Sequence, residues 1–479
     1  MSQFLHPTEI RSLLSRKKSA IYQNEVPLFG KLLEMIRDIN ARYELDHPGT
    51  LEKTGLTQER LTEEIHGAIR LALPHELQTI AKGFAICGMY PANYYDLTVA
   101  GMPAHATAFR PVDRDQLAKN PYRVFTSLLK LDLLKEKIRQ KLTTMVDHPD
   151  EVTPRLEKSW GIIEDILSKR SIFTAGYLEW LNVYEQQGGL THDQAISFVD
   201  EFLETFRWQK TAAVSKGIYD DLSALYKIVG DVLGFKVPHI NHLTPVTLDI
   251  DEAHARMHLE GMQSIKAIQG PPRRNAPILL RQTSFRALTE NTLFPDIDGN
   301  FTEGGHTARF GEIEQRGVAL TPKGRALYDL LLDAAIQSGP SEHAHHYAER
   351  YPQVLAQIFT LFPDDYDILR KEKLAFFYQN DNIPIIYEDF LPFSAVGIFK
   401  SNLGDMETLQ GKDLNDQEIQ QIIKELTFSI EKLYTHFDEE GFYINAAEKS
   451  AHQTEFETAL GQPVVDMFLS YKALQNFTP

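Results

Sequence analysis

Apolar residues recur at intervals of three and four through PTEIRSLLSRKKSAIYQ and VPLFGKLLEMIRDINARY, which predicts helices over residues 1–45. His47, Pro48 and Gly49 interrupt that pattern. A unit of strand, helix, strand and strand is expected next. HGAIRLAL is its first strand, although LTEEIHGAIRLAL could also be helical. PHELQTIAKGFAICGM is a helix opened by Pro74, and YYDLTV and HATAFRPV are strands parted by Ala100, Gly101, Met102 and Pro103.

Helical spacing returns across residues 114–230, in FTSLLKLDLLKEKIRQKL, RLEKSWGIIEDILSKR, AGYLEWLNVYEQ and HDQAISFVDEFLETFRW, and predicts an all-helical insertion. A second strand-rich unit follows in HINHLTPVTLDID, PILLRQTSFRAL and HTARFGEIEQRGVALT. Helices resume at GRALYDLLLDAAI and continue to about Tyr378. IPIIYEDFLPFSAVGIF then predicts one or two strands, and the chain from Asp416 is helical. The expected division is 1–50 helical, 51–113 first strand-rich unit, 114–230 helical insertion, 231–322 second strand-rich unit, and 323–479 helical with a strand segment at 383–400. The fold class is α+β, and the two strand-rich units suggest a distant duplication.

Composition narrows the picture. Of 479 residues, 43% are apolar and 24% charged, enough to bury a large core. The formal net charge is −17, which argues against nucleic acid or an anionic membrane surface as partner. The single cysteine, Cys87, allows no internal disulfide and lies in a predicted helix as a core residue. No run of about 18 apolar residues predicts a membrane span, and MSQFLHPTEIRSLLSRKK lacks a signal-type apolar stretch. A cytoplasmic protein is expected.

Three places carry possible chemistry. His66 and Arg70 stand four apart, which puts them on one face of a strand or a helix. A neutral imidazole can bind a metal and a guanidinium can clamp a carboxylate, yet a surface histidine and a salt-bridged arginine fit the same pattern. In HINHLTP, His239 and His242 are three apart, so on a strand they face opposite ways and only one lines a site. His242, among apolar neighbours, is the better ligand. In RFGEIEQRG, Glu312, Glu314 and Arg316 share one strand face, which is usually a solvated face but could offer an oxygen ligand. His306 in GGHTAR is a rival ligand. His343, His345 and His346 belong to a polar, solvated helix start.

Two imidazoles and one carboxylate meet the needs of a 2-His-1-carboxylate facial triad with open positions. The same donors suit zinc in a hydrolase or lyase, so the reaction stays open at this point. A helical interaction protein with structural His and Glu residues is a further possibility. HExxH, GxGxxG, Walker A and GxSxG motifs are absent from the sequence.

The blocks QNEVPLFGKLLEMIRDIN, HGAIRLA, GMYPANYYDL, HATAFRPV, RVFTSLL, HINHLTPVTLDID, PILLRQTSF, HTARFGEIEQRG, ALTPKGRALYD, YEDFLPFSAVGIF and SNLG, in order from about Tyr22 to Gly404, resemble the 2-oxoadipate dioxygenase/decarboxylase family. The resemblance implies a vicinal-oxygen-chelate-like curved β-sheet core of paired βαβββ modules with large helical insertions. It implies an Fe(II) cofactor held by His66, His242 and Glu312, with Arg70 binding the substrate carboxylate. The expected reaction converts 2-oxoadipate, or a similar 2-oxo dicarboxylate, and O2 to D-2-hydroxyglutarate and CO2. It also implies substrate contacts at Phe393 and Ser394. Phe393 departs from the family pattern, where a smaller aliphatic residue is expected, and this puts the preferred chain length in question.

Overall fold

A computed structural model of the protein describes residues 3–54, 56–62, 66–342, 344–379, 383–390, 411–445 and 448–476. Its centre is an eight-stranded mixed sheet. The strands are β1 (His66–Leu71), β2 (Tyr90–Asp96), β3 (Ala104–Arg110), β4 (Arg123–Leu129), β5 (His242–Thr244), β6 (Leu280–Ser284), β7 (Leu288–Pro295) and β8 (Phe301–Arg316). The path across the sheet is β2-β3-β4-β1-β5-β8-β6, with β7 also paired to β8.

Two βαβββ runs build this sheet. In the first, the helix Pro74–Ile86 follows β1; in the second, the helix Ile250–Leu259 follows β5. In each run the first strand pairs in parallel with the last, β1 with β4 and β5 with β8. The runs join where β1 and β5 pair antiparallel, His66 opposite Thr244 and Gly67 opposite Leu243. This matches the α+β fold of paired βαβββ modules that the resemblance implies.

The all-helical reading of 114–230 needs correction. RVFTSLL forms β4, seated between β1 and β3. All seven of its residues are buried, so no polar alternation marks it as a strand, and its apolar spacing runs on into the helix Leu131–Met145. The strand expected at 383–400 is also not seen among the described residues. Residues 383–390 make only isolated bridges, Pro384 to Phe377 and Ile386 to Val318, and 391–400 lie outside the described residues.

The N-terminal helices Pro7–Glu25 and Pro27–Asp46 fix the junction of the two runs. The Tyr22 hydroxyl lies 2.9 Å from the Asn241 carbonyl and 2.8 Å from that of Phe310, at the start of the β5–β8 pairing. Asn40 caps the segment after β5, donating to the Val246 carbonyl at 2.9 Å and accepting from the Leu248 amide at 2.8 Å. Among the described residues, no helix is long and apolar enough to cross a membrane.

Gly67 is a point of close approach. A β-carbon there would stand 2.6 Å from Ile240 Cδ1 and 2.9 Å from the His242 carbonyl oxygen. Gly67→Ala is therefore expected to force β1 and β5 apart and to cost about 1–3 kcal/mol of stability, read as a lower urea midpoint. An unchanged midpoint would show that this separation is not enforced.

Candidate metal centre

Strand alternation brings His66, Ala68 and Arg70 to one face of β1. Register then places Thr244 and Arg123 beside His66, and His242 beside Phe310, two residues before Glu312. Three distant stretches of sequence thus meet at one point. One ligand atom each from His66, His242 and Glu312 lies within 4.8 Å of the others. His66 Nε2 is 2.9 Å from Glu312 Oε1, and His242 Nε2 is 3.7 Å from Glu312 Oε2. All three residues are buried.

Neighbouring side chains orient these groups. Gln282 Nε2 donates to Glu312 Oε1 at 2.8 Å, and the Thr244 hydroxyl donates to the same oxygen at 3.4 Å. On the other side of the His66 ring, Nδ1 faces Glu314 Oε2 at 3.4 Å. Phe390 meets the His66 ring edge-on, with centroids 4.6 Å apart, and Phe310 stacks on His242 at 4.7 Å.

The electrostatics favour a bound cation. Burial, then Arg123 and His242, holds the His66 imidazole well below its ordinary range; burial and Arg70 hold His242 at about 3. Both rings are neutral near pH 7, as metal ligation requires. Burial, then the Glu314 charge, pushes the Glu312 carboxyl well above the usual carboxylate range. Burial pushes Glu314 up to about 8 against the pull of Arg123. Burial and a neighbouring carboxyl raise each of these groups, and a cation held by Glu312 would favour its ionised form. The donor set of two imidazoles and one carboxylate fits a divalent ion with open positions.

Several expectations need amending. Glu312, Glu314 and Arg316 do share a strand face, but that face is interior, not solvated. His239 and His242 are both buried, so neither is a surface histidine. They belong to separate clusters, His239 meeting Asp231 and His306. The rival ligand His306 therefore stands apart from the His66–His242–Glu312 group. Arg70 is buried and donates through Nη1 to Asp231. Phe393, Ser394 and His343 lie outside the described residues. Sequence reasoning passed over Asp231 and Gln282. Asp231 is a lone polar residue in the apolar run IVGDVLGF, and that isolation was the available signal; Gln282 sits among Arg281, Thr283 and Ser284 and carried none.

Comparison with known proteins identifies the family. The sequence model of the family described as 2-oxoadipate dioxygenase/decarboxylase matches residues 14–163 and 156–402. A Pseudomonas putida protein of that name is 44% identical over 433 residues, covering 84% of this chain and 89% of the relative. The Escherichia coli protein of that name is 44% identical over 436 residues, covering 85% and 90%. The crystal structure of the hydroxyglutarate synthase from Pseudomonas putida in complex with 2-oxoadipate superposes with a TM-score of 0.78 at 38% identity, covering 99% of this chain and 97% of that one.

Behind the three side chains runs a buried ionic network. Arg123 donates to Glu314 at 2.8 Å and pairs with Glu388 at 3.4 Å; Arg316 donates to Glu314 at 2.6 Å; Arg60 pairs with Glu388. Arg110 holds Asp389 through two hydrogen bonds, at 2.8 and 3.0 Å. Arg123→Met leaves Glu314 and Glu388 short of a buried counter-charge. It is expected to lower unfolding free energy by about 3–5 kcal/mol, measured by urea denaturation. A loss below about 1 kcal/mol, the size of a surface ion pair, would remove Arg123 from this role.

Proposed function

The chain belongs to the 2-oxoadipate dioxygenase/decarboxylase family, and on that footing we propose that it is an iron(II)-dependent enzyme converting 2-oxoadipate, or a 2-oxo diacid of similar length, and O2 to D-2-hydroxyglutarate and CO2. The observation that carries this reading is the buried meeting of His66, His242 and Glu312 on the same sheet face as an arginine. Solved relatives support the substrate class, since one is described in complex with 2-oxoadipate.

His66, His242 and Glu312 would hold the ion from one side. When bound, iron(II) supplies a Lewis-acidic, redox-active centre for the 2-oxo acid and O2. The chain's own residues do the rest. Glu314 aims the His66 ring from behind, while Gln282 and Thr244 fix the Glu312 carboxylate. Phe390 and Phe125, with ring centroids 5.0 Å apart, help to exclude water beside His66. Arg70 pairs with the far carboxylate of the diacid. Four residues along a strand place its Cα about 13 Å from that of His66, a span the two side chains and a short diacid can bridge. Phe393 and Ser394 contribute substrate contacts in the manner of the family, with Phe393 as the position that tunes chain length.

His242→Ala is expected to lose iron binding, measured as metal content after anaerobic loading, and with it O2 uptake in the presence of 2-oxoadipate. Full iron occupancy in that variant would remove His242 from the ligand set, and a parent protein that turns over 2-oxoadipate with zinc and without O2 would replace the oxygenase with another reaction. Arg70→Ala is expected to raise KM for the diacid by about 10- to 100-fold, the value of a lost charge-assisted pair. Unchanged steady-state kinetics would take Arg70 out of the substrate site.

A further inference from the structure

Arg70 has a set of buried partners that the chemistry above leaves without a role. Asp231, on the helix Lys227–Leu233, accepts from Arg70 Nη1 through Oδ2. Its Oδ1 lies 3.1 Å from His306 Nε2 and 3.2 Å from His239 Nε2. His306 Nδ1 is 2.7 Å from the hydroxyl of Tyr219, on the helix Lys216–Leu225. Aromatic rings enclose the group. Trp208 stacks on His306 with centroids 5.4 Å apart, and Phe235 lies 4.4 Å from the same ring. Arg70, Asp231, His239 and His306 are each at most 5% exposed.

An aspartate at this depth is costly unless several donors hold it. Burial alone would raise its carboxyl. Arg70, His239 and His306 outweigh that and keep it well below the usual carboxylate range, so it remains an anion. With the His306 imidazole hydrogen-bonded to one oxygen, His239 close beside it and a guanidinium on the other, the carboxylate has a single orientation. The Tyr219 hydroxyl, donating to His306 Nδ1, puts the imidazole proton on Nε2, facing Asp231. A guanidinium is planar, so an edge fixed on Asp231 fixes the direction of its remaining N–H groups. The three donor atoms also lie close enough together to surround a cation. The guanidinium on the same carboxylate already supplies that positive charge.

We propose that Asp231, His239, His306 and Tyr219 are positioning residues that hold Arg70 in one direction and thereby set the selectivity of the site for a second substrate carboxylate. This rests on the proposed function, in which Arg70 pairs with that carboxylate. It gives the region before β5 a part in choosing substrate: Tyr219 and Asp231 come from its helices, and His239 from the stretch just before the strand.

The test uses iron-loaded enzyme with 2-oxoadipate and with the 2-oxo monoacid of the same chain length. Asp231→Asn keeps the side-chain shape and removes the charge. The ratio of kcat/KM for diacid over monoacid should fall about tenfold, mainly through KM for the diacid, with metal content unchanged. Tyr219→Phe, which removes only a hydroxyl, should move the ratio the same way by less. Equal losses on both substrates, or an unaltered ratio in both variants, overturn the proposal. So does a second bound metal equivalent that disappears in Asp231→Asn. If the parent enzyme consumes no O2 with 2-oxoadipate, the proposed function fails first and this inference falls with it.

Discussion

A carboxyl group in a dry interior is costly unless positive charge or hydrogen-bond donors stand within a few ångströms, and much of this structure follows from meeting that need around Glu312 and Glu314. Arg123 and Arg316 flank Glu314, and Arg60 and Arg123 flank Glu388. Glu312 receives neutral donors, Gln282 and Thr244, and two neutral imidazoles. The division has a chemical sense. The network behind the site is balanced by arginines that are always charged, while Glu312, facing His66 and His242, is held by neutral donors, an arrangement that suits an exchangeable cation.

The topology delivers this arrangement by repetition. Each βαβββ run places its first strand in parallel against its last, and the antiparallel pairing of β1 with β5 joins the two runs. His66 begins β1, His242 begins β5, and Glu312 follows the point where β8 leaves β5. The site therefore sits at the joint between the runs, and neither run alone carries the full donor set. That is why close packing at Gly67 and the Tyr22 hydroxyl on the Asn241 and Phe310 carbonyls matter to chemistry several residues away.

Much of this was legible in the chain. The helix and strands that follow HGAIRL pointed to a strand there, and helical periodicity identified the N-terminal helices, a local pattern that survives folding. Strand β4 was not legible, since a strand covered on both faces shows no alternation of apolar and polar positions, and its apolar spacing merges with that of the helix beyond it. His239 misled for a different reason. The strand begins at His242, so His239 lies in irregular backbone where strand parity does not apply. Arg316, two residues on, was placed on the face of Glu314, but the second arginine partner of Glu314 was hidden because pairing across so many residues leaves no local trace; Arg123 meets Glu314 191 positions away. The proposed ligands His66, His242 and Glu312 were named through family resemblance, and the residues that hold them were not.

The two clusters stand in a definite relation. Both draw on β8 and on the HINHLTP segment: Glu312 and His242 serve one, His306 and His239 the other. Arg70 shares a strand face with His66 while its guanidinium is held by Asp231, and its charge is felt at His242. One strand thus carries a member of each cluster, four residues apart. A strand is stiff along its length, so the distance between the two ends of the site is set by backbone rather than by side-chain packing. A site of this construction measures its ligand. On the proposed reading, that spacing would admit a molecule whose second charge falls at the right distance from the metal ligands and would disfavour those whose charge falls elsewhere.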